Sequence, residues 1–415
     1  MRRPRFLLPL LVPLLFATLY LAWGPAPTVF PDSYRYIRAA EVHRGATPQE
    51  AHRTALNAFC VSRADGRARE RSLQPLAAPR HVLARDIADA CRAKWRTADD
   101  LTTSDPRFQA IFDARWGYPW LLAGSIQLAG PLAGPKILSA GVLGVAMLLT
   151  YLLLRSAGTT RRAAVAGQAV LLATPLGWWT LQPLTEGLVL CAALGAAWAF
   201  HRLARDGTKR SHGLAAAGLL ASVGLCFWVR YSTALLLAGA LAVAAIVLAA
   251  YRRRRGRRTP GTGRLLGTTV TAALATGAAV TLAGLPSTQT TLQDTYTLHF
   301  KHPLVDDPWA RLARSNVQFW TDWLQQQLTH PAFLLLTAAA LYACARRNRV
   351  LGLTACAIAA VGLAQAAAHP LPAEAERLGC LMWLPVVLGL PLLLSSRERL
   401  PKGRARHTPA TGEQP

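Results

Sequence analysis

The 415-residue chain is 52% hydrophobic and carries a formal net charge of +25, with 46 basic against 21 acidic residues. Its apolar residues lie in long unbroken runs rather than at helical or strand periods, which excludes an ordinary soluble enzyme. The basic excess does not mark a nucleic-acid binder. The arginines gather in short connectors, at every second break between apolar runs, which is the positive-inside pattern of a membrane protein.

The first run, 6–23, follows Met-Arg-Arg-Pro-Arg. It is long for the apolar part of a signal peptide and lacks a small-x-small cleavage site. It therefore reads as an uncleaved first helix with its N-terminus inside. Residues 24–134 form a long first extracytoplasmic loop. Within it Leu83, Ile87, Cys91 and Trp95 recur every four residues, with Arg85, Asp86, Asp89 and Arg92 between them. That pattern predicts an amphipathic juxtamembrane helix on the outer membrane surface. Leu121–Gly130 is too short to span and reads as a juxtamembrane or re-entrant piece. Tyr118 and Trp120 suit an interfacial aromatic belt, with a sugar platform as the alternative. Cys60 and Cys91 both fall in this loop, where an oxidising setting permits a disulfide; two free thiols are the alternative.

Helix two covers 135–154 and returns to Arg155, Arg161 and Arg162. Helices three (163–180) and four (185–200) lead to Arg202, Arg205, Lys209 and Arg210. Helices five (213–229) and six (232–251) leave only Arg230 and Tyr231 between them, and a basic loop, Arg252–Arg264, follows. Helix seven (265–284) opens onto a second extracytoplasmic loop, 285–330. Helices eight to ten take 331–345, 350–368 and 379–395, with Arg346, Arg347 and Arg349 inside and His369–Gly379 outside. The tail, 396–415, is basic and reads as disordered. The expectation is an all-α integral membrane protein, residues 1–395 forming one polytopic domain of about ten transmembrane helices with both termini cytoplasmic. Anionic membrane lipids are the expected partner of its juxtamembrane arginines. Arginine-rich, lysine-poor usage points to a bacterial plasma membrane.

Five isolated polar residues map to the outer surface: Asp32, Arg115, Glu186, Arg230 and Arg377. A carboxylate among arginines there suits acid–base work on a substrate with an anionic, lipid-anchored part. Each has a structural alternative. Asp32 caps a helix, Glu186 favours a helix dipole, Arg230 snorkels to headgroups, and Arg377 pairs with Glu374 or Glu376. No Asp-x-Asp, P-loop, His-Glu-x-x-His or Gly-x-Ser-x-Gly motif offers another chemistry.

Four short segments carry a family resemblance: Pro31-Asp-Ser-Tyr-Arg-Tyr36; Arg115-x-Gly-Tyr-Pro-x-Leu-Leu-Ala123; Thr185-Glu-Gly-Leu188; and Glu376-Arg-Leu with Leu384-Pro385. Together with the layout they resemble the GT-C glycosyltransferases that use polyprenyl-phosphate sugars, such as protein O-mannosyltransferases and aminoarabinose transferases. The resemblance implies a GT-C fold, Asp32 as catalytic base, and transfer of a sugar from a polyprenyl-phosphate donor to a glycan, lipid or protein acceptor on the outer face. By their placement, each nearly alone at an outer helix junction, Arg230 and Arg377 are candidates to hold the donor phosphate, and Arg115, Glu186 and Tyr118 are further substrate-binding candidates. A divalent metal ion assists some members. Ser33 stands where many relatives carry a second acid, and Leu378 where they carry tyrosine. A transporter or lipid flippase, or a non-catalytic GT-C-like membrane protein, is the alternative, although the mid-helix regions hold almost no charge for a transport path.

Overall fold

The computed structural model describes residues 8–76, 78–98, 100–101, 105–205, 207–256 and 260–395. The basic N-terminal residues, Arg257, Arg258 and the 396–415 tail of the sequence expectation lie outside them. All regular structure among the described residues is helical. A first helix, α1 (Leu8–Trp23), leads to an outer layer of four: α2 (Pro31–His43), α3 (Pro48–Arg71), α4 (Arg80–Trp95) and α5 (Pro106–Asp113). The bundle follows with α6 (Gly117–Ser156), α7 (Arg161–Ala173), α8 (Pro175–Thr180), α9 (Glu186–Leu203), α10 (Lys209–Arg254) and α11 (Pro260–Leu282). Next come α12 (Thr288–Tyr296), α13 (Pro308–Thr329), α14 (Ala332–Arg347) and α15 (Arg349–Ala368). The last segment is α16 (Pro372–Leu378), a 3₁₀ turn (Cys380–Trp383) and α17 (Leu384–Leu394).

Four of these helices are long and apolar enough to cross a membrane: α6, α10, residues Gly261–Leu282 of α11, and α15. The number is up to six if the bent pairs α13–α14 and α16–α17 each count as one. Large apolar side chains face outward along the bundle, among them Leu14, Val145, Leu214, Ile246, Leu274 and Leu335. Water would not tolerate so much exposed leucine, whereas lipid does. In contrast, α9 is buried on almost every side. Its Ala and Gly residues allow neighbours to approach closely, so it is the central post of the bundle.

Two long helices fold back on themselves. In α6, Gly130 has φ +78, a left-handed conformation that glycine adopts without steric cost. After the turn, Gly134 lies against the backbone of Ser125 and Ile126, so close that a Cβ would come within 2.7 Å of the Ser125 carbonyl. The stretch before Gly130 therefore doubles back against the part of α6 that follows it. In α10 the break is at Arg230, whose backbone is extended. Near its start, His212 lies against Gly261. Near its end, Arg252 donates to the Ala204 carbonyl at 2.6 Å and to Thr262 at 2.7 Å. Both ends of α10 thus meet the α9–α11 connection. Its middle meets the opposite end of α9, where Arg230 pairs with Glu186. The halves must run antiparallel.

The basic connectors gather at one end of the bundle. Arg205 donates to Ser156, Asn348 to Ala157, and Arg349 to Tyr251. One helix expected over 163–180 is instead α7 and α8, divided at Thr174. Pro175 pushes the residue before it into the extended region.

The expected amphipathic helix is α4, but its apolar face packs on α3 rather than lying on the membrane. A Cys60–Cys91 disulfide joins the two, which removes the free-thiol alternative. Closing a loop of 31 residues restricts the unfolded chain by about 3–4 kcal/mol in the chain-entropy account. Cys60→Ser is expected to lower the melting temperature of the outer layer. Non-reduced peptide mapping should show the 60–91 link, and two alkylatable thiols in protein purified without reductant would refute it.

Candidate functional site

The site is built at the end of the bundle opposite the basic connectors. The chain leaving α1 is pinned there, because Thr28 N donates to Gln182 Oε1 at 3.0 Å and Val29 N to Ser62 Oγ at 2.9 Å. Pro31 then opens α2 with its preset φ. Phe30 N donates to Ser33 Oγ at 3.2 Å, so Ser33 satisfies the helix start. Asp32 does not cap the helix. Its carboxylate accepts from Arg377 Nη1 at 2.8 Å.

Arg377, on α16, holds three carboxylates: Asp32, Glu374 at 3.2 Å and Glu186 at 3.6 Å. Pairing with Glu374 is as the sequence alternative had it, but it is the outermost of the three contacts. Glu186, the first residue of α9, also accepts from Arg230 Nη1 at 3.4 Å. Arg230 is 9% exposed and ends in this ion pair rather than at the lipid headgroups, which corrects the snorkelling alternative. Arg115, between α5 and α6, donates to the Tyr36 hydroxyl at 2.9 Å and stacks on Phe112 at 4.7 Å. Its charge adds to those acting on Asp32.

Five residues separated by up to 345 positions therefore belong to one cluster. Three guanidiniums face two inner carboxylates, with Glu374 at the rim; Arg230 Nε is buried without a hydrogen bond, and Arg377 Nε faces Glu186 Oε1 at 3.6 Å, beyond hydrogen-bond reach. Buried donors of this kind are costly unless an anion fills them. Burial pushes the Asp32 carboxyl up, but Arg377, then Arg115 and Arg35, outweigh it and hold it at about 2. Asp32 is ionised at every physiological pH.

The sequence reading missed two neighbours. Tyr36 positions Arg115. His369, following α15, shares a hydrogen bond of 3.1 Å with Thr295, and its Nδ1 faces that hydroxyl. Burial, and then Arg230, push His369 down to about 4, so it is neutral beside the arginines. Its one sequence signal is a histidine opening the last outer connector. Tyr118 is a correction. It is 2% exposed and packs edge-on to Tyr36 at 5.2 Å, so it belongs neither to an aromatic belt nor to an open platform. Trp120, 61% exposed against Trp228, fits the belt.

A cavity of about 480 Å³ opens beside the cluster between α2, α5 and α6, with Tyr36 and Arg115 as the shared wall. Its volume is that of a small-molecule site. Arg38, Asp113, Trp116 and Gln109 give it mixed charge and an aromatic face. A second cavity of about 430 Å³ lies on the other side of α16, lined by Trp323, Phe333 and Trp383 together with Gln326, Gln327, His330 and Glu376. As for a divalent metal, no three His, Cys, Asp or Glu side chains converge among the described residues. Asp32 and Glu186 are already matched by arginine, so the residues do not fit a cation.

No protein-family model matches the chain, nor does any curated protein or solved structure.

Proposed function

We propose that the chain is a GT-C-like membrane glycosyltransferase that moves a sugar from a polyprenyl-phosphate donor to an acceptor on the outer face of a bacterial plasma membrane. The observation that carries this reading is the convergence of Asp32, Arg115, Glu186, Arg230 and Arg377, from five separate segments, into one cluster in which the buried Arg230 Nε has no hydrogen-bond partner. Ten passes follow if α1, the part of α6 after Gly130, α7 with α8, α9, the two halves of α10, α11, α14, α15 and α16 with α17 each cross once. Both termini then lie inside with the arginine connectors.

The donor phosphate sits among Arg115, Arg230 and Arg377, and the unbonded Arg230 Nε donates to one of its oxygens. The mixed-charge cavity beside Arg115 suits a hydroxylated acceptor. The acceptor hydroxyl attacks the anomeric carbon as the bond from that carbon to the phosphate oxygen breaks. Asp32 takes the hydroxyl proton, and the arginines hold the charge on the departing polyprenyl phosphate. In the free protein Asp32 is a weak base because Arg377 neutralises it. A bound phosphate competes for Arg377 and thereby raises the basicity of Asp32.

Purified protein in vesicles containing radiolabelled polyprenyl-phosphate sugars should release label from the lipid. Failure with hexosyl, pentosyl and amino-sugar donors alike, in protein that still binds polyprenyl phosphate, would favour the non-catalytic alternative. Arg255→Cys and Thr288→Cys should label from opposite sides of the membrane, with position 255 inside. Labelling of both from outside would break the ten-pass arrangement.

A further inference from the structure

The opposite end of the bundle holds a second site. Lys209, His212, Ala216 and Leu220 recur along one face of α10, and Arg264 and Gly267 along the facing side of α11. Together they line an open groove of about 580 Å³. Its mouth is cationic. Lys209 and Arg264 are exposed, and no ion pair holds either among the described residues. Behind them His212 is 4% exposed, and its Nδ1 makes no hydrogen bond. Further along, the α10 side is apolar, with Leu220 44% exposed, and Thr268 and Thr271 line the α11 side.

The depth of this mouth is set by α10 itself. From Lys209 to the fold at Arg230 the helix rises about 30 Å, which is the thickness of a bilayer hydrocarbon core. With the Asp32 cluster at one membrane surface, Lys209 and Arg264 stand at the other. A slot with two cations and a buried imidazole at the surface, and apolar side chains running inward, matches an anion joined to a hydrocarbon chain. A free anion leaves the floor unused, and a neutral lipid leaves the cations unmatched.

We infer that the α10–α11 groove is a binding slot for an anionic phospholipid of the inner leaflet, its phosphate at Lys209, Arg264 and His212 and one acyl chain along Ala216, Leu220 and Gly267. The inference needs the chain to be membrane-embedded but does not need it to be a glycosyltransferase, so an inactive protein can still satisfy it.

The test is native mass spectrometry of the full chain released from nanodiscs of phosphatidylglycerol and phosphatidylcholine. Wild type is expected to retain phosphatidylglycerol in preference. Removing both mouth cations in K209A/R264A should weaken that binding roughly thirtyfold, by the usual contribution of a juxtamembrane cation. R253A/R254A removes the same charge at the same end of the bundle outside the groove and should bind as wild type. Ala216→Trp blocks the floor at unchanged charge and should also lose the lipid. Equal losses in K209A/R264A and R253A/R254A would mean diffuse attraction and overturn the slot. So would unchanged binding in A216W, or release of the lipid by excess inorganic phosphate, which would make the mouth a site for the anion alone.

Discussion

Asp32→Asn is expected to abolish sugar transfer, by roughly a hundredfold or more, while leaving insertion and donor binding in place. The change keeps the shape of the side chain and can still accept from Arg377, so the 2.8 Å contact survives in weakened form. What it removes is the atom that takes the acceptor proton. The measurement is release of radiolabel from polyprenyl-phosphate sugar in vesicles, alongside binding of polyprenyl phosphate. Full turnover in the Asn variant would end the assignment of Asp32 as base. The pH dependence adds a second reading. With Asp32 held at about 2 in the free protein, kcat/KM should show no acid limb from this group above pH ~3. Once the phosphate draws Arg377 away, the carboxyl rises, so the acid limb of kcat should lie at higher pH than that of kcat/KM. The sign for stability is the usual one for a depressed carboxylate. The Asp32–Arg377 contribution is complete above about pH 4 and is lost as pH falls towards 2.

Arg377→Ala is expected to be the most damaging single change to the fold of the site. It strips the partner from Asp32 and from Glu374 and leaves Glu186 with Arg230 alone. Leaving a largely buried carboxylate without its partner costs about 3–5 kcal/mol. Donor binding should fall as well, since a guanidinium that receives the phosphate is gone. Combining the two changes separates the effects. If charge imbalance is the cause, Asp32→Asn should return part of the melting temperature lost in Arg377→Ala, because the two residues are in direct contact and their effects are not additive. It should not return donor binding. Additive losses in the double variant would show that Arg377 acts through packing alone.

Much of the architecture was legible in the primary structure because breaks in apolar runs are physically expensive. Arg230 standing alone between two such runs marks a reversal, and Gly130 followed by Pro131 carries the fold-back of α6. The division at Thr174 was equally visible in Pro175 and was passed over because apolar residues continue on both sides. The candidate cluster was legible as five outward-facing charges, but not as pairs. Nothing local distinguishes an Arg377 that reaches Glu374 from one that also reaches Asp32, because the second contact depends on how α2 and α16 meet. Tyr36 and His369 were hidden for the same reason. Tyr118 was misjudged because an aromatic residue near a span end looks alike whether it faces lipid or a neighbouring ring. In α2 and α3, frequent charged residues mask the helical pattern: the buried face of α3 is mostly alanine, and that of α2 mixes Tyr34, Tyr36 and Ile37 with Ser33, Arg35 and Glu41.

The span of the Asp32–Arg377 contact, 345 residues, bears on how the molecule is made. During synthesis Asp32, Glu186 and Arg230 enter the membrane surface long before α16 leaves the ribosome. Glu186 and Arg230 can neutralise one another as soon as α10 is in place, but Asp32 must wait for the last hairpin. Until then the nascent protein carries an unmatched carboxylate at a helix junction, held only by the attraction of Arg115 and Arg35. Arrival of Arg377 thus completes the charge balance of the cluster.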